Sequence, residues 1–351
     1  MMYRRRRRAI AEWPDDPDWP RPGADPLDER ADRISIPTSD GIRLAAYLNG
    51  PSGESSAGTV LFLHGYGLDH HSWRVQRAAL ADRIRVAAYD HRSHGASGRA
   101  PAGRNTLDAV ADDLAAVVAA MPPGPILLVG HSMGGMAIQL LAARFPGLFG
   151  VWPGLALSAP RIVGVALVAT SAERVDRIDL GYSGSRGTVL ALTASALVRA
   201  GARLSGLVEP VRSADRALAL QLTKAWSFAG PVSDAQVRFV AAMHSTTPLS
   251  VVADFYPEFG EHDGSKGLGT LREVPVVVIG GAQDNLTPIA RSEALAAELP
   301  QAEFVRLDPS GHLVMIERPT EVTYAIEMLA ARIGLLPPEE HVEVEVTGDH
   351  R

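Results

Sequence analysis

Short, almost continuous apolar runs are the feature that most restricts how this chain can fold. Four occur in the first half and two near the carboxyl end, at residues 59–63, 84–89, 126–129, 163–168, 274–280 and 302–307. Such runs form strands that are covered on both faces, as in a parallel sheet. Stretches with helical apolar spacing, at residues 106–120 and 133–144, lie between them. The alternation predicts an α/β fold with a mostly parallel, doubly wound sheet.

Changes in composition divide the chain into segments. Residues 33–170 and 270–336 carry the strand pattern and form the predicted core, in which Ser39-Asp40-Gly41 indicates a hairpin turn. Residues 171–269 are rich in Ala and Leu with helical spacing and contain no strand-like run. We therefore expect a helical lid inserted into the sheet domain, and an acidic tail over residues 337–351.

The overall composition disfavours several classes of function. The 34 basic and 40 acidic residues leave a net charge of -6, so the chain has no general attraction for nucleic acid or an anionic membrane. No apolar run approaches the ~18 residues that a membrane span needs. The 351 residues include no cysteine, which excludes disulfides, thiolate metal sites and cysteine nucleophiles. The expected partner is a small molecule, with no nucleic acid and no integral membrane association.

The amino-terminal segment, residues 1–32, begins with an arginine run from Arg4 to Arg8. An export signal would continue with ~7 to 15 apolar residues, and no such stretch follows. Arginine runs also bind RNA or acidic lipid, but the six carboxylates between residues 15 and 29 offset this one. Five prolines between residues 14 and 26 prevent a continuous helix. We expect an extended arm, either loose or laid over the body, on a cytoplasmic protein.

A candidate nucleophile lies in Gly130-His131-Ser132-Met133-Gly134, which follows an apolar strand and opens a helix. In this context a sharp strand-to-helix turn presents the serine hydroxyl. The flanking glycines permit the tight turn, and the helix amino terminus directs N–H groups at charge that develops near the serine. The motif predicts that Ser132 is a nucleophile.

A serine nucleophile needs a general base, and the base needs an orienting carboxylate. His312 and Asp284 both follow predicted strands at their carboxyl ends, where an open α/β sheet gathers its functional groups. Asp308 is a rival for the acid because it is closer in sequence to His312, although its place at the strand end would point it beside the loop. Structural hydrogen bonding is expected for the histidines in tight glycine-containing turns, His64, His94 and His131.

Taken together, five motifs resemble the α/β-hydrolase family over about residues 34–333. In chain order they are His64-Gly65-Tyr66-Gly67, the segment from Asp90 to Ser97, Gly130-His131-Ser132-Met133-Gly134-Gly135, the Asp284 loop, and Ser310-Gly311-His312. Two departures stand out. The family more often has Arg-Gly-His-Gly where this chain has Arg92-Ser93-His94-Gly95, and residues 147–161 lengthen one connection, either as a surface loop or as part of an entrance or oligomer contact.

The resemblance implies a role for each matching residue. Ser132 is the implied nucleophile, His312 the base and Asp284 its orienting acid. The backbone N–H groups of Tyr66 and Met133 form the implied oxyanion hole, which stabilises a tetrahedral intermediate. No cofactor and no metal are implied. Asp90 and Arg92 match positions that hold turns together.

The implied reaction is hydrolysis of a carboxylic ester with an apolar acyl group through an acyl-enzyme, as in a carboxylesterase or lipase. The same triad also supports C–C bond hydrolysis, acyl transfer or cofactor-free haloperoxidase chemistry, and a non-catalytic ligand-binding protein is the alternative from another class. The sequence does not indicate the natural substrate or the oligomeric state. Apolar lid residues are candidates either for an acyl pocket or for the lid's own core: Leu190, Leu192, Leu197, Val198, Leu204, Leu207 and Val208.

Overall fold

The computed structural model describes residues 19, 25–51, 57–150, 158–175 and 216–337. Within them, one sheet contains eight strands in the order β1-β2-β4-β3-β5-β6-β7-β8. The strands are β1 (Asp32–Pro37), β2 (Arg43–Asn49), β3 (Thr59–Leu63), β4 (Arg85–Tyr89), β5 (Gly124–His131), β6 (Pro160–Val168), β7 (Val276–Gly281) and β8 (Glu303–Leu307). Only β1 with β2 and β2 with β4 pair antiparallel, and the remaining pairs are parallel. The predicted α/β class with a mostly parallel sheet is confirmed.

Helices cover both faces of this sheet. They are α1 (Pro26–Glu29), α2 (Arg74–Leu80), α3 (Leu107–Ala120), α4 (Met133–Arg144), α5 (Arg216–Ser227), α6 (Asp234–Thr246), α7 (Leu249–Glu261), α8 (Ser265–Leu271), α9 (Ile289–Glu298), α10 (Val314–Glu317) and α11 (Pro319–Arg332). None of the helices in this part of the chain is long and apolar enough to cross a membrane.

Two hydrophobic clusters, one on each face of the sheet, explain the continuous apolar runs. Leu61 and Leu63 of β3 pack with α3 and α4, whereas Val60 and Phe62 of the same strand pack with α2 and α11. Successive side chains of a strand point to opposite faces, so a strand covered on both sides must be apolar at every position. The core therefore lies in two layers around the central parallel strands.

The described helices between β6 and β7 fall in the predicted lid segment. Hydrogen bonds join α7 to the sheet domain: the Tyr66 hydroxyl donates to the Val252 carbonyl, Asn105 Nδ2 to Asp254 Oδ2 at 2.9 Å, and the Leu107 N–H to Glu258 Oε2 at 3.0 Å. The candidate acyl-pocket residues between 190 and 208 lie outside the described residues, as do residues 151–157 and 338–351.

The prediction of an extended arm over residues 1–32 is wrong for its last part. Residues 26–29 form the helical turn α1, capped by Asp25, and Asp28 is buried against the body. Pro26 did not prevent this helix because proline is tolerated in the first turn, where its missing N–H has no intrahelical acceptor. Trp19 also packs against the body, with its ring centroid 5.5 Å from that of Phe239 in α6. Residues 1–18 and 20–24 lie outside the described residues.

Candidate active site

Ser132 is the single residue between β5 and α4, so the chain changes from strand to helix within one position. Its backbone has φ 51° and ψ -115°, a conformation that non-glycine residues rarely adopt. The turn brings residue 134 so close to β3 that a Cβ there would lie 2.7 Å from the Leu63 carbonyl oxygen, which explains why it is Gly134. The predicted sharp turn is present, and Ser132 is half-buried at its tip.

A histidine and a carboxylate meet near this turn, and they are the predicted pair. His312 Nδ1 donates to Asp284 Oδ2 at 2.8 Å, and both side chains are buried. A carboxylate accepts only, so Nδ1 carries the proton and Nε2 is the ring nitrogen left to accept one. This is the tautomer that a general base for a serine hydroxyl requires.

The Asp284 carboxylate is held by its own loop. Oδ1 accepts from the N–H groups of Leu286 and Thr287 at 2.8 and 2.9 Å. Oδ2 accepts from the Thr287 hydroxyl at 2.8 Å as well as from His312. The rival Asp308 is exposed, and its Oδ1 accepts from Gln283 Nε2 at 2.8 Å. The geometry therefore favours Asp284 over Asp308 as the partner of His312.

His131, next to Ser132, connects the nucleophile turn to the His312 loop. Its Nε2 donates to the His312 carbonyl at 3.0 Å, and the two ring centroids are 4.7 Å apart. Burial and the neighbouring His312 hold the pKa of His131 well below its ordinary value, so the ring is neutral. His131 thus acts as a structural hydrogen-bond donor, in agreement with the sequence prediction, and brings the loop of the base beside the nucleophile.

The loop after β3, which carries the predicted oxyanion residue Tyr66, also lies against the nucleophile turn. A Cβ at residue 65 would be 2.5 Å from His131 Nδ1 and 3.3 Å from Ser132 Cβ, so only Gly65 permits this approach. Met133 is the first residue of α4, where an N–H has no intrahelical acceptor. Gly65, which directly precedes Tyr66, therefore lies against the nucleophile turn, and Met133 directly follows Ser132.

Three buried, uncharged histidines support the Tyr66 loop from behind. His64 Nε2 accepts from the His91 N–H at 2.9 Å, and His94 Nε2 accepts from the Gly67 N–H at 3.1 Å. Burial lowers the pKa of His91 to about 3 and that of His94 to about 4, and it holds the pKa of His64 well below 6.5. Neutral rings can accept these N–H bonds, which protonated rings cannot. The structural role predicted for His64 and His94 is confirmed.

At residues 92–95, where the chain departs from the family pattern, the turn is kept with Ser93 in place of the more usual glycine. Ser93 has φ 64°, a left-handed value that explains the glycine more usual at this position. Its Oγ accepts from the Ala100 N–H at 2.9 Å. Arg92 binds the Asp113 carboxylate through two bonds of 2.7 Å, and Asp90 accepts from the Ala96 N–H at 2.8 Å. These contacts agree with the turn-holding role that the resemblance implies for Asp90 and Arg92.

Two residues that the sequence analysis did not single out position the histidine and its acid. Thr287 Oγ1 contacts Asp284 Oδ2 and lies 3.3 Å from His312 Nδ1. Glu317 accepts two hydrogen bonds of 2.7 Å. One comes from the N–H of Gly311, the residue directly before His312, and the other from the N–H of Gly230, in the connection from α5 to α6. Of the two, only Thr287 could have been predicted from the sequence, because an aspartate three residues before it is typical of a turn that the aspartate side chain closes. Glu317 joins the base loop to the helices of the predicted lid segment.

Comparisons with known proteins agree with this architecture. A family model described as the alpha/beta hydrolase fold matches residues 58–319. A pimeloyl-[acyl-carrier protein] methyl ester esterase of Chromobacterium violaceum is 29% identical over 270 residues, covering 76% of this chain and 92% of that protein. A 3-oxoadipate enol-lactonase 2 of Acinetobacter baylyi is 25% identical over 284 residues, covering 80% of this chain and 92% of that protein.

A solved structure of similar architecture is that of a thermophilic esterase from Thermogutta terrifontis. The two superpose with a TM-score of 0.64 at 26% sequence identity, and the match covers 86% of this chain and 99% of that one. Its fold, the matched family model and the strand order all agree with the resemblance seen in the sequence motifs. The chain belongs to the α/β-hydrolase fold family.

Proposed function

We propose that this protein is a serine hydrolase that cleaves a carboxylic ester with an apolar acyl group through an acyl-enzyme intermediate. The observation that carries the proposal is the 2.8 Å bond from His312 Nδ1 to Asp284 Oδ2, with the loop of His312 joined by a hydrogen bond to the residue before Ser132. Similarity to an esterase and an enol-lactonase, both of which are named for cleaving ester bonds, supports the same class of reaction.

The proposed reaction has two halves. In the first, Ser132 Oγ attacks the ester carbonyl while its proton passes to His312 Nε2, and Asp284 stabilises the resulting imidazolium. The N–H groups of Tyr66 and Met133 donate to the tetrahedral oxyanion, which collapses to the acyl-enzyme as His312 protonates the leaving alcohol. In the second half, water attacks the acyl-enzyme with His312 again as base, which releases the acid and restores Ser132.

Aromatic side chains near the oxyanion loop support an apolar acyl group. The Tyr66 ring meets Phe255 and Phe259 of α7 edge to face, with centroids 6.3 and 5.1 Å apart. Phe255 is buried, whereas Tyr66 and Phe259 are half-buried and so leave apolar surface beside the proposed oxyanion hole. Apolar walls with few polar groups are typical of sites that bind small molecules.

The nucleophile is tested by covalent labelling with a fluorophosphonate and by ester turnover. We expect the label on the peptide that contains Ser132, no label there in Ser132→Ala, and unchanged labelling in Ser39→Ala, a control at an exposed turn. Ser132→Ala should lower turnover of p-nitrophenyl butyrate by about 10³-fold or more. Turnover within tenfold of the parent would show that another residue is the nucleophile.

The acyl preference is tested with p-nitrophenyl esters of increasing chain length. If Phe259 contacts the acyl group, Phe259→Ala should change the ratio of kcat/KM for octanoate over acetate by about tenfold, since such contacts contribute ~1 to 3 kcal/mol. Parent protein that labels with fluorophosphonate but hydrolyses none of these esters would instead favour C–C bond hydrolysis or acyl transfer on the same triad. The cytoplasmic location and the lid function of residues 171–269 stay predictions from the sequence.

A further inference from the structure

A second cluster of titratable side chains lies outside the triad, where the amino-terminal segment meets the body. It contains Asp28 of α1 and His70 and His71 of the short 3₁₀ helix at residues 70–73. All three side chains are buried, each at most 7% exposed. His70 Nε2 and His71 Nε2 both lie 2.9 Å from the same atom, Asp28 Oδ2. Three donor atoms from two distant parts of the sequence therefore converge on one point.

The other nitrogen of each ring faces its own carboxylate. His70 Nδ1 lies 2.8 Å from Asp90 Oδ1, and His71 Nδ1 lies 2.8 Å from Asp69 Oδ1. A carboxylate that accepts the Nδ1 proton leaves Nε2 with a free lone pair in a neutral ring. Carboxylates placed in this way orient the histidines of metal sites and raise their basicity as ligands. Both rings thus have the outer contacts expected of metal-ligating histidines, with Nε2 directed at Asp28.

The charges of the cluster leave room for a divalent cation. One cation, the Arg77 guanidinium, contacts Asp28 Oδ1 through Nη1 and Nη2 at 3.5 and 3.4 Å, on the side away from the two rings. The three buried carboxylates of Asp28, Asp69 and Asp90 against the buried guanidinium of Arg77 leave two negative charges, which one divalent ion balances while both rings stay neutral. The Arg33 side chain, on an exposed residue, donates to the Asp28 backbone carbonyl at 3.0 Å and adds a solvent-screened cation at the edge of the cluster. Buried charge without such compensation is strongly unfavourable.

The donor set identifies the class of ion. Two imidazole nitrogens and one carboxylate oxygen suit Zn²⁺ and neighbouring divalent transition metals, which bind them at ~2.0 to 2.2 Å. Two donors at this distance in a tetrahedral site lie roughly 3.3 to 3.5 Å apart, so each of the observed nitrogen–oxygen separations of 2.9 Å must widen by roughly half an ångström to admit the ion. Mg²⁺ and Ca²⁺ prefer oxygen ligands and fit the two nitrogens poorly.

We propose that Asp28, His70 and His71 bind a divalent transition-metal ion of the Zn²⁺ type, and that this ion fastens the amino-terminal segment to the hydrolase body. The segment has other contacts that place it for such a role. Asn49 Nδ2 donates to the Leu27 carbonyl at 2.8 Å, and Trp19 packs on Phe239 of α6. The ion joins residue 28 to residues 70 and 71, so it closes a loop of about forty residues.

Protons compete with the ion for the same nitrogens. A ring nitrogen binds a metal ion only in its deprotonated form, so metal binding displaces any proton held there and the affinity should increase with pH. The cluster shares no residue with the proposed triad, and metal binding is measured without an ester substrate, so the proposal is tested independently of the proposed ester hydrolysis.

The test measures binding to the full chain after any purification tag has been removed and metal has been stripped with a chelator. Zn²⁺ is titrated at pH 8 by calorimetry, the stoichiometry is checked by elemental mass spectrometry, and Co²⁺ absorption reports nitrogen ligation. We expect one ion per chain with a Kd below about 1 μM, tighter binding at pH 8 than at pH 6.5, and a higher Tm with the ion than without it. Limited proteolysis should cut before residue 30 more slowly in the metal-bound protein.

Variants distinguish metal binding by the three named ligands from nonspecific metal binding at the protein surface. Asp28→Asn and His71→Gln each replace a ligand with a neutral amide and should weaken binding by 100-fold or more, and Asp69→Ala, which removes an outer contact, by about 10- to 100-fold. Asp308→Asn, an exposed carboxylate far along the chain, is the control and should bind as the parent does. Circular dichroism of each metal-free variant checks that it folds, and His70→Gln replaces any variant that does not.

Two results would overturn the proposal. One is the absence of stoichiometric binding of Zn²⁺, Co²⁺, Ni²⁺ and Mn²⁺ at pH 8, which would show that protons alone hold the cluster together. The other is equal affinity in the parent and in a folded Asp28→Asn or His71→Gln variant, which would assign the bound ion to another site.

Discussion

Asp284→Asn is the substitution for which the structure gives the sharpest prediction. The carboxylate accepts four hydrogen bonds: two backbone N–H bonds on Oδ1, and the Thr287 hydroxyl and His312 Nδ1 on Oδ2. In the variant, the amide oxygen keeps the two backbone bonds, because the loop offers only donors there. The amide NH₂ then replaces Oδ2 and points at His312 Nδ1.

The magnitude follows from the tautomer that this NH₂ selects. A donor facing Nδ1 forces that nitrogen to accept, so the proton moves to Nε2 and His312 can no longer take a proton from Ser132. A change of tautomer of this kind costs about 10⁴-fold in kcat, which corresponds to ~5 kcal/mol of transition-state stabilisation. Folding should change little, since the variant has the same shape and retains most of its bonds.

The assay is kcat for a p-nitrophenyl ester, measured beside Tm so that lost chemistry is distinguished from lost folding. Asp308→Asn is the matched control, and we expect its kcat to stay within twofold of the parent. A folded Asp284→Asn protein with kcat within tenfold of the parent would refute the assigned geometry. If Asp308→Asn lost activity instead, Asp308 would be the acid.

Three further predictions test the surroundings of the site. Glu317→Gln weakens charge-assisted bonds to the loop of the base, worth ~1.5 to 3 kcal/mol, so kcat should fall about tenfold with KM nearly unchanged, and an unchanged kcat would limit Glu317 to a role in folding. The free energy of unfolding, measured in urea, should decrease between pH 7 and pH 5, because the pKa values of His91, His94 and His262 are lowered to about 3, 4 and 4. A histidine of the unfolded chain takes up a proton below pH ~6.5, whereas these folded rings stay neutral. Each of the three therefore lowers the free energy of unfolding by roughly 2 kcal/mol between pH 7 and pH 5, and a flat pH dependence would contradict their burial. Deleting residues 1–30 should lower Tm by on the order of 10 °C, because it leaves buried charged groups without their carboxylate partner, and an unchanged Tm would show that this segment contributes little to stability.

Local sequence determined the elements and the nucleophile turn. The strands could be predicted because a strand covered on both faces is apolar at every position, as Val60, Leu61 and Phe62 show. The turn at Ser132 could be predicted because the constraint acts within five residues, where glycines must flank the serine. His312 and Asp284 could be proposed because parallel strands direct their carboxyl ends to one edge of the sheet.

Contacts between distant residues had to come from the tertiary structure. The choice between Asp284 and Asp308 depends on where two loops point: sequence separation favours Asp308, whereas the structure pairs His312 with Asp284. The helical turn at residues 26–29 is too short to be stable alone, so packing on the body decides its conformation. The convergence of residue 28 with residues 70 and 71 leaves no local pattern, because a fold alone brings together side chains that are more than forty positions apart.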